Sequence, residues 1–258
     1  MTNQRHASTT VLATLFSAML FHCNADTFTT VPIADAFVAT GTSSDNLSGD
    51  NFGRAGSLTV EAGNLSLGGF QSVLEFNLSS AQSYFNSEYG AGAWSVQAVS
   101  LVLTASPHPN SIFNAPAAGQ FGISLMQNNS WVEGIGTGGA PTTDGISYNS
   151  LTGTYINNAT DQALGIFSFA GGTSGTATYG LRLTSGVVGD LAGGSDLSLR
   201  LFPNDTSVSY LFNSRTASSS VPELEITATP EPGTLALDLS GLAALLLWRC
   251  TKRSQEAA

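Results

Sequence analysis

The chain has 258 residues, with 18 acidic against eight basic side chains and a net charge of −10. Residues 26–229 are more extreme: 15 carboxylates face four arginines (Arg54, Arg182, Arg200, Arg215), with no lysine and a net charge of −11. That balance lacks the basic footprint of a nucleic-acid binder, so nucleic acid is excluded as a partner. An anionic polysaccharide meets the same repulsion unless a cation or a local arginine site intervenes.

The first 25 residues read as a secretion signal. Arg5 supplies positive charge, residues 11–21 form an apolar run of signal-peptide length, and Cys23-Asn24-Ala25 places small side chains before a cut. The mature chain then begins at Asp26. The alternative, lipidation of Cys23, is disfavoured by the bulky Leu20 and His22 beside it. Both cysteines, Cys23 and Cys250, lie outside residues 26–229, so no disulfide staples the domain. A chain of roughly 200 residues buries about 70% of its unfolded surface, which holds a fold without bridges.

The middle of the chain is strand-rich. Phe70, Val73, Leu74, Phe76 and Leu78 make an apolar run, and residues 96–104 alternate so that Val99, Leu101 and Leu103 share one face. Further strands are predicted at 121–126, 164–169, 178–183, 197–202, 208–212 and 224–228. The connections at 134–158 and 170–175 are dense in Gly, Ser, Thr and Asn, which is turn chemistry. Residues 79–95 are an insert with room for a short helix. Nine or ten short strands predict an all-β domain over 26–229, a β-sandwich of jelly-roll type.

Several segments also resemble DNRLRE-type domains. They are Ala34-Asp35-Ala36-Phe37-Val38, Asn51-Phe52-Gly53 before Leu58-Thr59-Val60, and 72–79 (Ser-Val-Leu-Glu-Phe-Asn-Leu-Ser). The end of the domain, Tyr210-Leu211-Phe212-Asn213-Ser214-Arg215 and then Pro222-Glu223-Leu224-Glu225-Ile226, is similar to the closing strands of that family. Between them, 131–136 (Trp-Val-Glu-Gly-Ile-Gly) and 144–149 (Asp-Gly-Ile-Ser-Tyr-Asn) resemble a paired loop motif. The resemblance implies a carbohydrate-binding jelly roll, of a kind some of whose members bind uronic-acid polysaccharides.

Catalytic chemistry finds little support. Nucleophilic triads need a base, and residues 26–229 hold one histidine, His108, between two prolines. Glu133 and Asp144 form the one imaginable glycosidase pair, which requires carboxyls about 5–9.5 Å apart. Binding is easier to support: Trp131, Tyr148 and Glu133 are candidate sugar contacts, with Trp94 and Tyr155 also near loops. Exposed rings stack on sugar faces while a carboxylate accepts from hydroxyls. Asp35, Asp45 and Asp50, with Asn46 and Asn51, form an oxygen-rich stretch that makes calcium a possible cofactor, although the spacing is not that of an EF-hand. Arg54 and Arg215 read as ion-paired structural residues.

Residues 230–258 form a second address. Pro230-Glu231-Pro232 is followed by an apolar stretch at 233–248, interrupted by Asp238, and then by Arg249, Lys252 and Arg253. The apolar stretch predicts a single hydrophobic helix about 24 Å long, short of a comfortable bilayer span. The basic end would stay in the cytoplasm and the domain outside. The ordinary reading is a tail anchor. Motif, apolar segment and basic terminus together resemble the PEP-CTERM sorting signal, which implies an exosortase-type processing enzyme as partner and delivery to the cell envelope or extracellular matrix of an exopolysaccharide-producing bacterium. The expected function is an exported, non-catalytic protein that binds or organises extracellular polysaccharide. The alternatives are a polysaccharide-degrading hydrolase or lyase on the same fold, and a structural or adhesive surface protein.

Overall fold

The computed structural model describes residues 25–106, 118–169 and 175–231. The signal segment before Ala25, His108, Pro232 and the basic residues Arg249, Lys252 and Arg253 lie outside the described residues. In chain order the strands are β1 (Asp26–Thr30), β2 (Ala34–Ala39), β3 (Ser57–Glu61), β4 (Phe70–Asn77), β5 (Trp94–Thr104), β6 (Gln120–Met126), β7 (Gln162–Ser168), β8 (Thr176–Leu181), β9 (Asp196–Pro203), β10 (Ser209–Asn213) and β11 (Glu223–Pro230). Helix α1 (Ser79–Tyr89) follows β4. A short turn α2 (Tyr148–Ser150), running into a π-helical turn at Leu151–Tyr155, precedes β7, and α3 (Ser185–Gly193) precedes β9.

The strands form two antiparallel sheets. One runs β1-β11-β5-β8; the other has seven strands, ordered β10-β3-β4-β9-β6-β7 with β2 added on β4. Alternation in the sequence explains how they pack. Val99, Leu101 and Leu103 of β5 point inward to meet Leu74 and Phe76 of β4, Leu197, Leu199 and Leu201 of β9, and Phe121, Ile123 and Leu125 of β6 in one buried cluster. At about 1.5–3 kcal/mol per fully buried side chain, this shared core is the main stabilising term of the two-sheet arrangement. Because β11 pairs with β1, the closing strand lies beside the opening one.

The insert after β4 is a helix. Ala81 and Phe85 of α1 are buried, and the Phe85 ring lies 5.1 Å from that of Trp94, whose indole N–H donates to Asn86 Oδ1 at 2.8 Å. Strands β1, β2 and β3 and helix α3 were not among the elements predicted from periodicity. Strand β1 has a single large apolar residue, Phe28, so its pattern is faint. Helix α3 carries three glycines, yet Thr184 caps its start by accepting from Val187 N–H, Val187 and Leu191 bury one face, and Gly194 closes it at φ 63°.

The outward face of the seven-stranded sheet bears a second apolar cluster. Ala36, Val38, Val73 and Met126 on the strands are covered by Trp131, Ile146 and Leu151 from the connection between β6 and β7. That connection, residues 127–161, shapes the region where the predicted site residues lie.

Candidate functional site

One side chain joins the two motifs of the long connection. Asn51 is fully buried, and its Nδ2 donates to the backbone oxygens of Glu133 (2.7 Å) and Ile146 (2.9 Å). Its Oδ1 accepts from the N–H groups of Gly53 (3.2 Å) and Gly136 (3.1 Å). All four hydrogen-bonding positions of the amide are used, so the two motifs at 131–136 and 144–149 are stapled together through it. Close approach needs glycine: a Cβ on Gly134, where φ is +77°, would sit 2.2 Å from Asn51 Oδ1.

Beside the staple lies an ionic knot. Arg215 grips Glu133 with two N–H groups of its guanidinium, Nε donating to Oε1 at 2.6 Å and Nη2 to Oε2. Glu133 Oε1 also accepts the Asp35 N–H at 3.1 Å, and Asp35 Oδ2 accepts the Arg215 N–H at 2.6 Å. Three distant segments are thereby joined: β2, the 131–136 motif and the turn after β10. Asp35 is 1% exposed and its Oδ1 has no partner. Burial is the main cause pushing its carboxyl up to about 7; the Arg215 backbone N–H opposes this, Glu133 adds to it and the Arg215 charge opposes it.

These placements correct several expectations. Trp131 is 4% exposed, with its ring inside the outer cluster and its Nε1–H donating to Ser198 Oγ at 2.9 Å. It is a core anchor, and neither ring face is open for a sugar. Tyr148 packs half-buried on the same cluster, at the start of a turn closed by a Ser147–Ser150 capping box. Glu133 is neutralised by Arg215 and is no free acceptor. Trp131, Glu133 and Tyr148 therefore do not form one open concave surface.

The imagined acid pair fares no better. Asp144 accepts from Thr142 Oγ1 (2.5 Å) and Ile135 N–H (3.2 Å), and these bonds hold its carboxyl below the usual range, opposite to a general acid. For calcium, Asp35 is enclosed in the knot while Asp45 is exposed in the loop before β3. With Asp50 they do not converge: among the described residues, no group of three or more His, Cys, Asp or Glu side chains is gathered for a metal. At the end of β11, Pro230 pairs with Trp94 and the Glu231 N–H donates to Ala93 O at 2.9 Å. Glu231 borders a cleft of about 380 Å³ with Trp94, Val96 and Val188, and among the described residues no second titratable side chain lines it.

The 127–161 connection leaves part of the outward face uncovered, and a residue outside the predicted site stands there. Arg200 of β9 pairs with Val73 of β4 and Ser124 of β6. Its guanidinium carbon lies 4.5 Å from the centroid of the Phe202 ring, and its Nε donates to Gln71 Oε1 at 2.7 Å. Tyr148 and Asp161 are within electrostatic reach. Ile166 of β7, 58% exposed, extends the patch. The signal for this face is in the sequence: Leu197, Leu199 and Leu201 alternate with Ser198, Arg200 and Phe202, so the set that carries Arg200 faces outward.

No known family model matches this chain, and no curated protein is similar to it.

Proposed function

We propose that this is an exported, non-catalytic protein of the cell envelope or extracellular matrix, whose jelly-roll β-sandwich binds extracellular polysaccharide on the outward face of its seven-stranded sheet. The observation that carries the reading is the composition of that face. Half-exposed Phe202 and the exposed Ile166 offer apolar surface beside the hydrogen-bonding Arg200, on strands whose other face is locked in the core, and Tyr148 adds to it from the covering connection. Saccharide sites pair apolar surface with a few placed polar groups, and rigid strands hold such groups better than loops. The non-catalytic part of the reading rests on Glu133, whose carboxylate is occupied by Arg215, and on Asp144, which is held on the wrong side for acid catalysis.

Export and sorting belong to the same proposal. Residues 1–25 would be removed, and the Pro230-Glu231-Pro232 motif with its apolar and basic extension would be read by an exosortase-type enzyme. Mass spectrometry of the exported protein tests this: loss of residues 240–258 is expected, and their retention would show a membrane anchor instead. The binding function is tested by a glycan screen with the exported protein, with and without calcium. Saturable binding to a polysaccharide without turnover is expected; hydrolysis or elimination of any bound glycan overturns the binding-only reading.

A further inference from the structure

One corner of the seven-stranded sheet holds buried acceptors without donors to serve them. Glu75 of β4 lies there, 7% exposed, between its ladder partners Ala34 of β2 and Ser198 of β9. Among the described residues no hydrogen bond reaches its carboxylate and no basic side chain pairs with it. The charge it feels is a second negative one, that of Asp196, diagonal to it at the start of β9.

The side chains around this corner use their donors elsewhere. Asn77 gives Nδ2 to Asp196 Oδ1 (2.7 Å), Asn129 gives Nδ2 to the Asp196 backbone oxygen (2.7 Å), and Trp131 gives its Nε1–H to Ser198 Oγ (2.9 Å). The bond from Asn129 fixes its amide, and the Oδ1 on the other side is buried with no partner. Turning the amide over would set that oxygen against the Asp196 carbonyl. Two carboxylates and an amide oxygen are thus gathered by β4, β9 and the start of the 127–161 connection. A buried carboxylate and a buried orphan acceptor are each costly without a positive partner. One proton supplies one donor for these several acceptors, whereas a hard cation takes all of them as ligands.

We propose that Glu75, Asp196 and Asn129 Oδ1 hold a divalent cation of the calcium class, which ties the start of the 127–161 connection to strands β4 and β9. Neither carboxylate belongs to the oxygen-rich stretch around Asp45 and Asp50, and the site stands apart from the polysaccharide reading. Calcium fits these ligands better than magnesium, because it accepts irregular sets of carboxylate and amide oxygens and completes its shell with water.

The test uses the exported protein, freed of metal with a chelator and titrated at about pH 8 with calcium chloride in a calorimeter. Saturable binding with a Kd of about 0.1–1 mM is expected, as in extracellular calcium modules. Terbium chloride is expected to luminesce when tryptophan is excited, since the Trp131 indole is bonded to Ser198 beside Glu75, and excess calcium is expected to remove the signal. Calcium at about 10 mM is expected to raise Tm by about 3–10 °C over potassium chloride of equal ionic strength. Glu75→Gln keeps the shape and adds a donor, so it is expected to lose calcium and terbium binding while melting no lower than the metal-free parent. Glu88→Gln, exposed on α1, is expected to change neither. Absence of saturable calcium binding by the unaltered protein overturns the site and needs no variant. Binding that survives Glu75→Gln, or a rise in Tm matched by potassium chloride, overturns it as well. If Glu75→Gln does not fold, Asp196→Asn is measured in its place, with the same loss of binding expected and its retention overturning the site.

Discussion

Asn51 does at one position what neither neighbouring motif does for itself. Its amide joins the backbones of Glu133 and Ile146, 82 and 95 residues away in sequence, with two donors and two acceptors all satisfied. Replacing it by aspartate keeps the shape and removes both donors, leaving two buried carbonyl oxygens unpaired beside a new charge. At about 1–3 kcal/mol for each orphaned group, Asn51→Asp is expected to cost about 3–5 kcal/mol in urea unfolding at neutral pH. A loss under about 1 kcal/mol would show that the staple is replaceable by water. The same reasoning explains why Trp131 misled as a sugar contact. An aromatic residue beside a Gly-rich motif looks like a loop residue in sequence, while its indole N–H is consumed by Ser198, 67 positions on.

At the scale of elements, what was legible depended on whether the signal was local. Strands β4, β5, β6 and β9 announce themselves because every second residue enters the shared core. Helix α3 hides behind its glycines, although its Thr184 cap, the Val187 and Leu191 pair and Gly194 were all readable. The outward position of Arg200 follows from alternation alone, but that it has no ion-pair partner among the described residues does not, since only the fold shows Asp161 tied into its own turn. The knot of Asp35, Glu133 and Arg215 was legible only in that Arg215 reads as an ion-paired residue; its partner is set by chain return. A matched pair of glycine substitutions tests how the 127–161 connection is held. Gly134→Ala places a methyl against Asn51 at a positive φ, whereas Gly139 has open space. Limited proteolysis is expected to cut the connection several-fold faster in Gly134→Ala and at the original rate in Gly139→Ala. Equal rates in the two variants would mean that Asn51 does not govern the closure of this segment.

At the scale of the whole molecule, the domain buries acids it has too few bases to neutralise, and this sets its pH response. Burial pushes the Asp35 carboxyl up to about 7 and does the same to Glu75, where the charge of Asp196 adds to the effect. Glu61 and Asp190 are also raised, mainly by burial. A carboxyl with a raised folded-state pKa binds more protons folded than unfolded, so its contribution is fully present below its unfolded value near 4. That contribution is lost as pH rises through the folded value near 7. Stability should therefore fall from pH 5 to pH 8, by on the order of 3 kcal/mol from these groups, in denaturant unfolding. General self-repulsion at −11 has the same sign, but at about 1 M salt the Debye length is near 3 Å and surface repulsion is screened. The burial-driven part persists under that condition, so the slope measured in high salt isolates it. Asp35→Asn with Glu75→Gln should flatten the high-salt slope, whatever the two substitutions do to absolute stability. A domain equally stable at pH 5 and pH 8 in high salt would show that Asp35 and Glu75 ionise without cost, and that the knot around Asp35 is open to water in solution.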